Sequence, residues 1–198
     1  VVQANTTAGF SIVTYTGDDE ARATVAHGLS QAPEMVIVKN RDEAISNPAW
    51  PVYHASNTSA PATDYLDLYT TAESGTVETI WSDEVPTDTL VILGTADSVN
   101  SGSAHVMYCF HSVEGYSKFG SYTGTGVANG PFVYLGFRPA FIMTKNYSSA
   151  GGSWGMYDNT RNSSNTGGTL MLRANANDVD YFHATYTPID FLSNGFKI

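Results

Sequence analysis

The residues whose types and spacing could do chemistry are few and scattered along the chain. His105 and His111 share one apolar run, but six positions of extended strand separate them by about 20 Å, too far to share a metal ion. The sequence contains no G-x-S-x-G elbow, H-E-x-x-H helix, phosphate-binding loop or dinucleotide fingerprint. The sequence therefore predicts no catalytic centre, and we expect that the chain is not an enzyme.

Carboxylates are the remaining groups that could bind a metal or act as an acid and a base. Asp178 and Asp180 could supply two oxygens to a Ca²⁺ site, which needs six to eight. Calcium is the one cofactor that the sequence suggests, and we expect that no cofactor is required. Acidic pairs such as Asp83-Glu84 could serve a polysaccharide depolymerase, in which two carboxyl groups flank the scissile bond. That activity is kept as an alternative.

Sugar binding requires no catalytic or metal-binding group, because exposed aromatic faces with polar neighbours are sufficient. Trp81 is the strongest candidate, since it has no counterpart in the internal repeat described below. Tyr65 and Tyr69 flank a predicted strand, while Tyr181 and Tyr186 lie in a polar loop region. We predict these five aromatic residues as the ligand-binding set.

Composition and charge restrict the class of partner. The 198 residues carry 9 basic and 19 acidic side chains, a formal net charge of −10. Such a chain would be repelled by nucleic acid phosphates and by anionic membrane surfaces. No run approaches the roughly 20 apolar residues of a membrane span. We therefore expect neither nucleic acid binding nor membrane insertion, and we expect the lone Cys109 to be a buried hydrophobic residue.

Short apolar runs bounded by Gly, Asn, Ser and Pro recur along the whole chain, as in proteins built from strands and turns. No segment keeps a 3.6-residue apolar period long enough to indicate a helix. The pattern predicts an all-β protein made of antiparallel β-sandwich units. The predicted strands cover residues 11–15, 34–39, 65–69, 89–93, 104–110, 132–135, 141–145, 169–172 and 191–198.

One unit occurs twice. Four ordered matches at offsets of 104 to 107 residues relate the two halves: GFS to GYS, PEMVIVKN to PAFIMTKN, W-x-x-Y to W-x-x-Y and L-x-L to L-x-L. The repeat predicts an N-terminal arm (residues 1–8), a first unit (9–113) and a second unit (114–198). The second unit has no equivalent of the strand at 104–110. Either the polypeptide continues beyond residue 198, which we prefer, or another segment such as residues 1–8 of a neighbouring subunit completes the sheet.

The repeated residues themselves suggest structural roles. A Trp that returns two residues before a Tyr occupies a shared structural position, so we expect Trp50, Tyr53, Trp154 and Tyr157 to serve packing. Asn40 and Asn146 end equivalent predicted strands, and we expect them to terminate the strand and to begin a turn.

Several motifs together resemble a repeat unit of predicted structural proteins in tailed bacteriophages, mostly marine and cyanobacterial, where it accompanies lectin-like modules in tail fibres. The resemblance lies in residues 9–17, 27–40, 110–124, 131–145 and 190–198, and its motifs are GFSIVTYTG, HGL…AP…VIVKNR, a Trp before VYH, GYSKFGSYTGTG, GPFVYLGFRPAFIMTK and DFLSNGFK. The resemblance implies a virion location and, after SNGFK, a further aromatic strand. It implies no catalytic residue.

The resulting hypothesis is a non-catalytic virion structural module, part of a tail fibre or a similar appendage, that presents loops to a host-surface polysaccharide or another receptor. A purely architectural capsid-decoration or fibre-shaft protein is the first alternative, and the depolymerase is the second. We expect contacts with other virion subunits and a homo-oligomer, with a trimer as the expected state, in which multivalency would strengthen weak individual contacts.

Overall fold

A computed structural model describes residues 1–42, 49–127, 129–162, 169–183 and 189–198. These residues form an all-β fold in which every strand pairing is antiparallel, as the sequence predicted. They also contain two four-residue helices, α1 (Glu78–Trp81) and α2 (Asp97–Asn100). Neither helix, and no other within these ranges, has the length and hydrophobicity that crossing a membrane requires.

The largest sheet has seven strands in the order β1-β2-β9-β4-β5-β6-β7. β9 lies in its middle and pairs with β2 on one side and with β4 on the other, so the last strand of the first half joins its two parts. The seven strands are β1 (Val2–Asn5), β2 (Phe10–Thr16), β4 (Met35–Asn40), β5 (Pro51–His54), β6 (Asp64–Asp67), β7 (Gly75–Thr76) and β9 (Ala104–Phe110).

One face of this sheet is covered by a second layer made of β3 (Ala23–Ala26) paired with β8 (Leu90–Leu93), together with α1. Alternate residues of the central strands, such as Val36 and Met107, point into this layer and are fully buried. Because side chains alternate between the two faces of a strand, the neighbouring residues Ile37 and Tyr108 lie on the opposite face. The two layers form a β-sandwich around one hydrophobic core.

Residues 132–197 repeat the strand order of the first half. A four-stranded sheet in the order β11-β12-β13-β14 corresponds to β4-β5-β6-β7, and β10 pairs with β16 as β3 pairs with β8. β15 is added beside β16. These strands are β10 (Phe132–Tyr134), β11 (Phe141–Thr144), β12 (Gly155–Asp158), β13 (Thr169–Arg173), β14 (Tyr181–His183), β15 (Asp190–Leu192) and β16 (Gly195–Lys197).

The strand register corrects one of the four sequence matches. Leu66 lies opposite Val52 in the first half, and Leu172 lies opposite Met156, the equivalent of Val52, in the second. The structural counterpart of Leu66 is therefore Leu172, two positions beyond Leu170, which the L-x-L match had aligned with it. A shift of two residues keeps the same face of a strand, so the sequence pattern conceals it.

One further sequence prediction is wrong in detail. Residues 191–198 were expected to form one strand, but they contribute to a hairpin, β15 and β16, closed by Ser193 and Asn194. In the N-terminal arm, β1 pairs with β2 of its own chain over four residues. The segment at 116–122, which matches β2, contains no strand.

The repeated residues have the structural roles that the sequence predicted where the contacts are visible. Tyr53 and Trp154 are buried. The Asn40 side-chain oxygen accepts the Asp42 N–H (2.8 Å), and that of Asn146 accepts the Ser148 N–H (3.0 Å). Both asparagines thus close the same Asx turn where equivalent strands end, Asn40 as the last residue of β4 and Asn146 two residues after β11.

Trp154 joins the two halves. Its indole packs on Met35, Val52 and Leu66, on the face of the large sheet away from the sandwich core. Its Nε1–H donates to the backbone oxygen of Asp67 (2.9 Å). The second half therefore covers part of the outer face of the seven-stranded sheet, and Trp154 supplies both an apolar contact and a directional one.

The carboxyl group of Asp67 provides a pH-dependent prediction at this junction. Burial raises its pKa from 3.8 to about 6, although its hydrogen bond from the Trp50 N–H (2.8 Å) and nearby Lys39 favour the ionised form. The folded state therefore favours the protonated form of Asp67. This contribution to the free energy of unfolding is fully present below pH 4, where the group is protonated in both states, and it is lost as the pH rises through 6. We expect Asp67→Asn, whose amide oxygen can still accept that N–H, to be more stable than the parent chain at pH 7, by about 1 kcal/mol after allowance for solvent screening.

Urea unfolding of both proteins between pH 4 and pH 7.5 measures this difference. The advantage of Asp67→Asn should shrink towards zero at pH 4, where the parent carboxyl group is protonated. An advantage that does not change with pH would show that the charge of Asp67 is not the cause.

Candidate binding surface

Trp81 does not offer the exposed face that the sequence prediction required. It ends α1, is only 1% exposed, and contacts Tyr53 edge-on with ring centroids 6.0 Å apart. Trp81 is therefore a packing residue, and the prediction that it serves as a sugar platform is corrected.

The predicted tyrosines do not converge on one surface. Tyr65 is half-buried and packs against the sandwich core, whereas Tyr69, just after β6, is exposed. Tyr181 lies in β14, of which the backbone alone is described, and Tyr186 lies outside the described residues. Tyr69 is the single member of this set whose side chain is shown to be available to a ligand.

The two aspartates predicted for calcium lie in ion pairs with different arginines. Asp178 contacts Arg173, and Asp180 lies 3.3 Å from Arg161, which also contacts Asp158 at 2.5 Å. Within the ranges that the structure describes, no group of three or more His, Cys, Asp or Glu side chains could hold a metal ion. The arrangement is that of charge pairs at a sheet end and does not assemble the oxygen-rich shell that calcium needs.

Two exposed aromatic side chains lie next to each other elsewhere, on the small sheet β10-β16-β15. Phe132 and Tyr134 are 46% and 60% exposed, and they lie two residues apart on one face of β10. Two positions of strand separate them by about 7 Å. Lys197 lies directly opposite Phe132, and Asp190 lies opposite Lys197. We call this surface of Phe132, Tyr134, Lys197 and Asp190 the aromatic face.

Two local features fix the aromatic rings in place. A Cβ atom at Gly195 would lie 3.1 Å from the Phe132 ring and 2.1 Å from the Val133 oxygen, so only glycine lets the ring and this strand approach so closely. Lys118 reaches across from the preceding segment. Its Nζ lies 5.7 Å from the centre of the Tyr134 ring and donates to the Tyr134 backbone oxygen at 3.4 Å. The aromatic face therefore combines flat apolar rings with ammonium groups.

The charge distribution distinguishes this half of the chain from the other. Residues 1–113 hold 3 of the 9 basic and 14 of the 19 acidic residues, so nearly all of the net negative charge lies there. Residues 114–198 hold 6 basic and 5 acidic residues. An anionic ligand that the first half would repel could therefore approach the aromatic face.

Sequence reasoning missed Phe132 and Tyr134 because, in a strand with alternating side chains, the larger hydrophobic residues are normally assigned to the core. In Phe132-Val133-Tyr134 the two aromatic residues would be assigned to the core and the valine to solvent, but the structure has the reverse. The flanking Pro131 and the short strand gave no signal of orientation. The pairing of β10 with β16 decides it, because it places Val133 opposite the buried Phe196 and packs Val133 against the core of the second half.

The fold and this surface define an all-β protein of antiparallel sheets with an exposed aromatic face. The chain belongs to the DUF7483 family, a domain of unknown function, whose family model matches residues 1–198. No curated protein and no solved structure is a significant match.

Proposed function

We propose that the chain is a non-catalytic recognition module that binds a polysaccharide through the aromatic face. The observation that carries the proposal is the pair of exposed rings, Phe132 and Tyr134, side by side on a flat strand with Lys197 and Lys118 beside them. The C–H faces of sugar rings stack on aromatic faces, and neighbouring charged groups bind hydroxyl and carboxylate substituents. The two lysines favour an acidic polysaccharide.

The proposed setting is the surface of a virion, on a tail fibre or similar appendage that contacts a bacterial host. The support is the resemblance of the motifs described above, among them GPFVYLGFRPAFIMTK, which contains both Phe132 and Tyr134. A homo-oligomer, proposed as a trimer, would present several aromatic faces together and so raise the avidity of weak single contacts.

Retention on immobilised bacterial surface polysaccharides tests the binding. We expect the purified chain to be retained by at least one acidic polysaccharide without releasing oligosaccharides. Phe132→Ala and Tyr134→Ala should each weaken binding about tenfold, equivalent to about 1.4 kcal/mol, because each removes one stacking surface.

Tyr69→Ala is the matched control, since Tyr69 is another exposed tyrosine but lies in the acidic half of the chain. It should bind as the parent chain does. Equal retention of all four proteins, or loss of retention only in Tyr69→Ala, would contradict the proposed surface. Release of sugar fragments would show an enzyme.

A purely architectural role is the second candidate, and one observation favours it. Phe141 at the start of β11 is 56% exposed, although its counterpart Met35 is buried at 8%. Phe141 lies on an edge strand, and an unpaired strand edge can pair with another polypeptide. A capsid-decoration or fibre-shaft protein would use this edge for assembly.

A further inference from the structure

The edge of β4 in the first half shows how this fold covers the strand that corresponds to β11. β9 pairs with β4 over six residues, from Met35 opposite Phe110 to Asn40 opposite His105. The Arg41 N–H donates to the Ala104 oxygen (2.8 Å), which fixes the alternation along β4. The backbone N–H and C=O groups of Met35, Ile37 and Lys39 therefore point towards β9.

β11 has the same orientation but no such partner. The Asn159 N–H donates to the Ala140 oxygen (3.0 Å), so Ala140, Ile142 and Thr144 direct their backbone groups towards β12. The intervening residues Phe141 and Met143 direct theirs to the other side. Among the described residues no strand pairs with that side of β11.

The side chains around this edge indicate what would cover it. Ile142, the counterpart of Val36, is buried in the core of the second half, whereas Phe141 is largely exposed. In the first half, β9 provides Cys109 opposite Val36 and the ring of Phe110 opposite Met35. A strand that alternates buried side chains, such as Met107 and Cys109 of β9, with outward aromatic side chains, such as Tyr108 and Phe110, would therefore fit β11 in the same way.

We propose that the free edge of β11 is an acceptor site for a separate polypeptide, which adds an antiparallel strand with the alternation of β9. The occupant is not the β9 of a second copy, because that strand is paired on both sides. It is not β1 either, because all four of its side chains are exposed where it pairs with β2. The site is distinct from the aromatic face and does not depend on the proposed sugar binding.

A labelled peptide with the sequence of residues 102–112, which contains β9, tests the site in the full chain by fluorescence anisotropy. Cys109 of the peptide is replaced by serine to prevent disulfide exchange. We expect saturable binding that is weakened at least tenfold by Met143→Pro, because proline removes an N–H that faces the free edge and leaves the bonds to β12 in place.

Met143→Ala is the matched control, since it shortens the side chain to a similar extent but keeps the N–H. It should bind within about threefold of the parent chain, a difference below about 1 kcal/mol. Thermal melts identify any variant that fails to fold, and in that case the corresponding change is made in the peptide, with proline replacing Tyr108. Absence of binding to the parent chain, or equal binding by Met143→Pro and Met143→Ala, would overturn the proposal, as would a concentration-dependent dimer that excludes the peptide.

Discussion

Trp81→Ala should lower the free energy of unfolding by about 3–5 kcal/mol, the largest effect we expect from a single substitution in the sandwich core. The indole is 1% exposed, and it contacts Tyr53 within the apolar cluster between the two layers. Truncation to alanine removes this buried surface and leaves a cavity that the surrounding strands can fill only in part. Such a loss is comparable to the whole stability of many domains.

Urea unfolding followed by tyrosine and tryptophan fluorescence measures this loss, with Trp81→Phe as the control. The Trp81 Nε1–H is buried and has no hydrogen-bond partner among the described residues. Phenylalanine keeps most of the apolar surface and removes that unsatisfied donor, so it should cost only about 1 kcal/mol. If Trp81→Ala instead left stability unchanged and altered polysaccharide retention, the assignment of Trp81 to the core would be wrong.

Trp154→Ala should cost about 3–4 kcal/mol and should separate the behaviour of the two halves. Trp154 is buried against Met35, Val52 and Leu66, and its indole donates a hydrogen bond to the Asp67 backbone oxygen. Two backbone hydrogen bonds also join the halves, from the Ser74 N–H to the Tyr147 oxygen and from the Gly151 N–H to the Thr71 oxygen (both 2.9 Å). Without the indole, the outer face of the seven-stranded sheet loses part of its cover. We expect residues around β12 to exchange amide hydrogens faster, while those of β4 and β9 remain protected.

Trp50→Ala is the matched control, because the repeat places Trp50 at the equivalent position. Trp50 is half-buried, and its ring lies 5.4 Å from the Lys39 Nζ. A cation–π contact at such a site is worth about 1 kcal/mol, so the change in stability should be small and should leave β12 protected. Equal effects of Trp50→Ala and Trp154→Ala on hydrogen exchange would mean that Trp154 does not join the halves.

The sequence was sufficient for the fold class because strand and turn signals are local. The match of PEMVIVKN with PAFIMTKN identified β4 and β11 as equivalents, and the asparagine that ends each match closes the same turn. The two-residue displacement at Leu172 was invisible because it preserves the side-chain alternation. Register depends on which backbone groups meet across the sheet, and no residue type records that.

The candidate binding surface was harder to predict from the sequence than the fold class. Trp81 was selected because it was unrepeated, but its burial depends on α1 folding under β8, a contact between segments that the sequence does not relate. Residues 132–135 were predicted only as a strand, with no orientation for Phe132 and Tyr134. Their exposure depends on which side of β10 faces Phe191 and Phe196, and this is decided only when β16 pairs with it.

The central position of β9 has a consequence for how the chain folds. β9 pairs with β2 between residues that are 88 to 100 positions apart, from Thr16 opposite Ala104 to Phe10 opposite Phe110. The chain loses the entropy of closing such long loops before the stabilising contacts between the strands form, so folds of high contact order form slowly. During synthesis, the edges of β2 and β4 that pair with β9 therefore stay unpaired until residue 110 has left the ribosome. A chaperone that binds apolar strands should therefore engage the nascent chain before that point and release it afterwards.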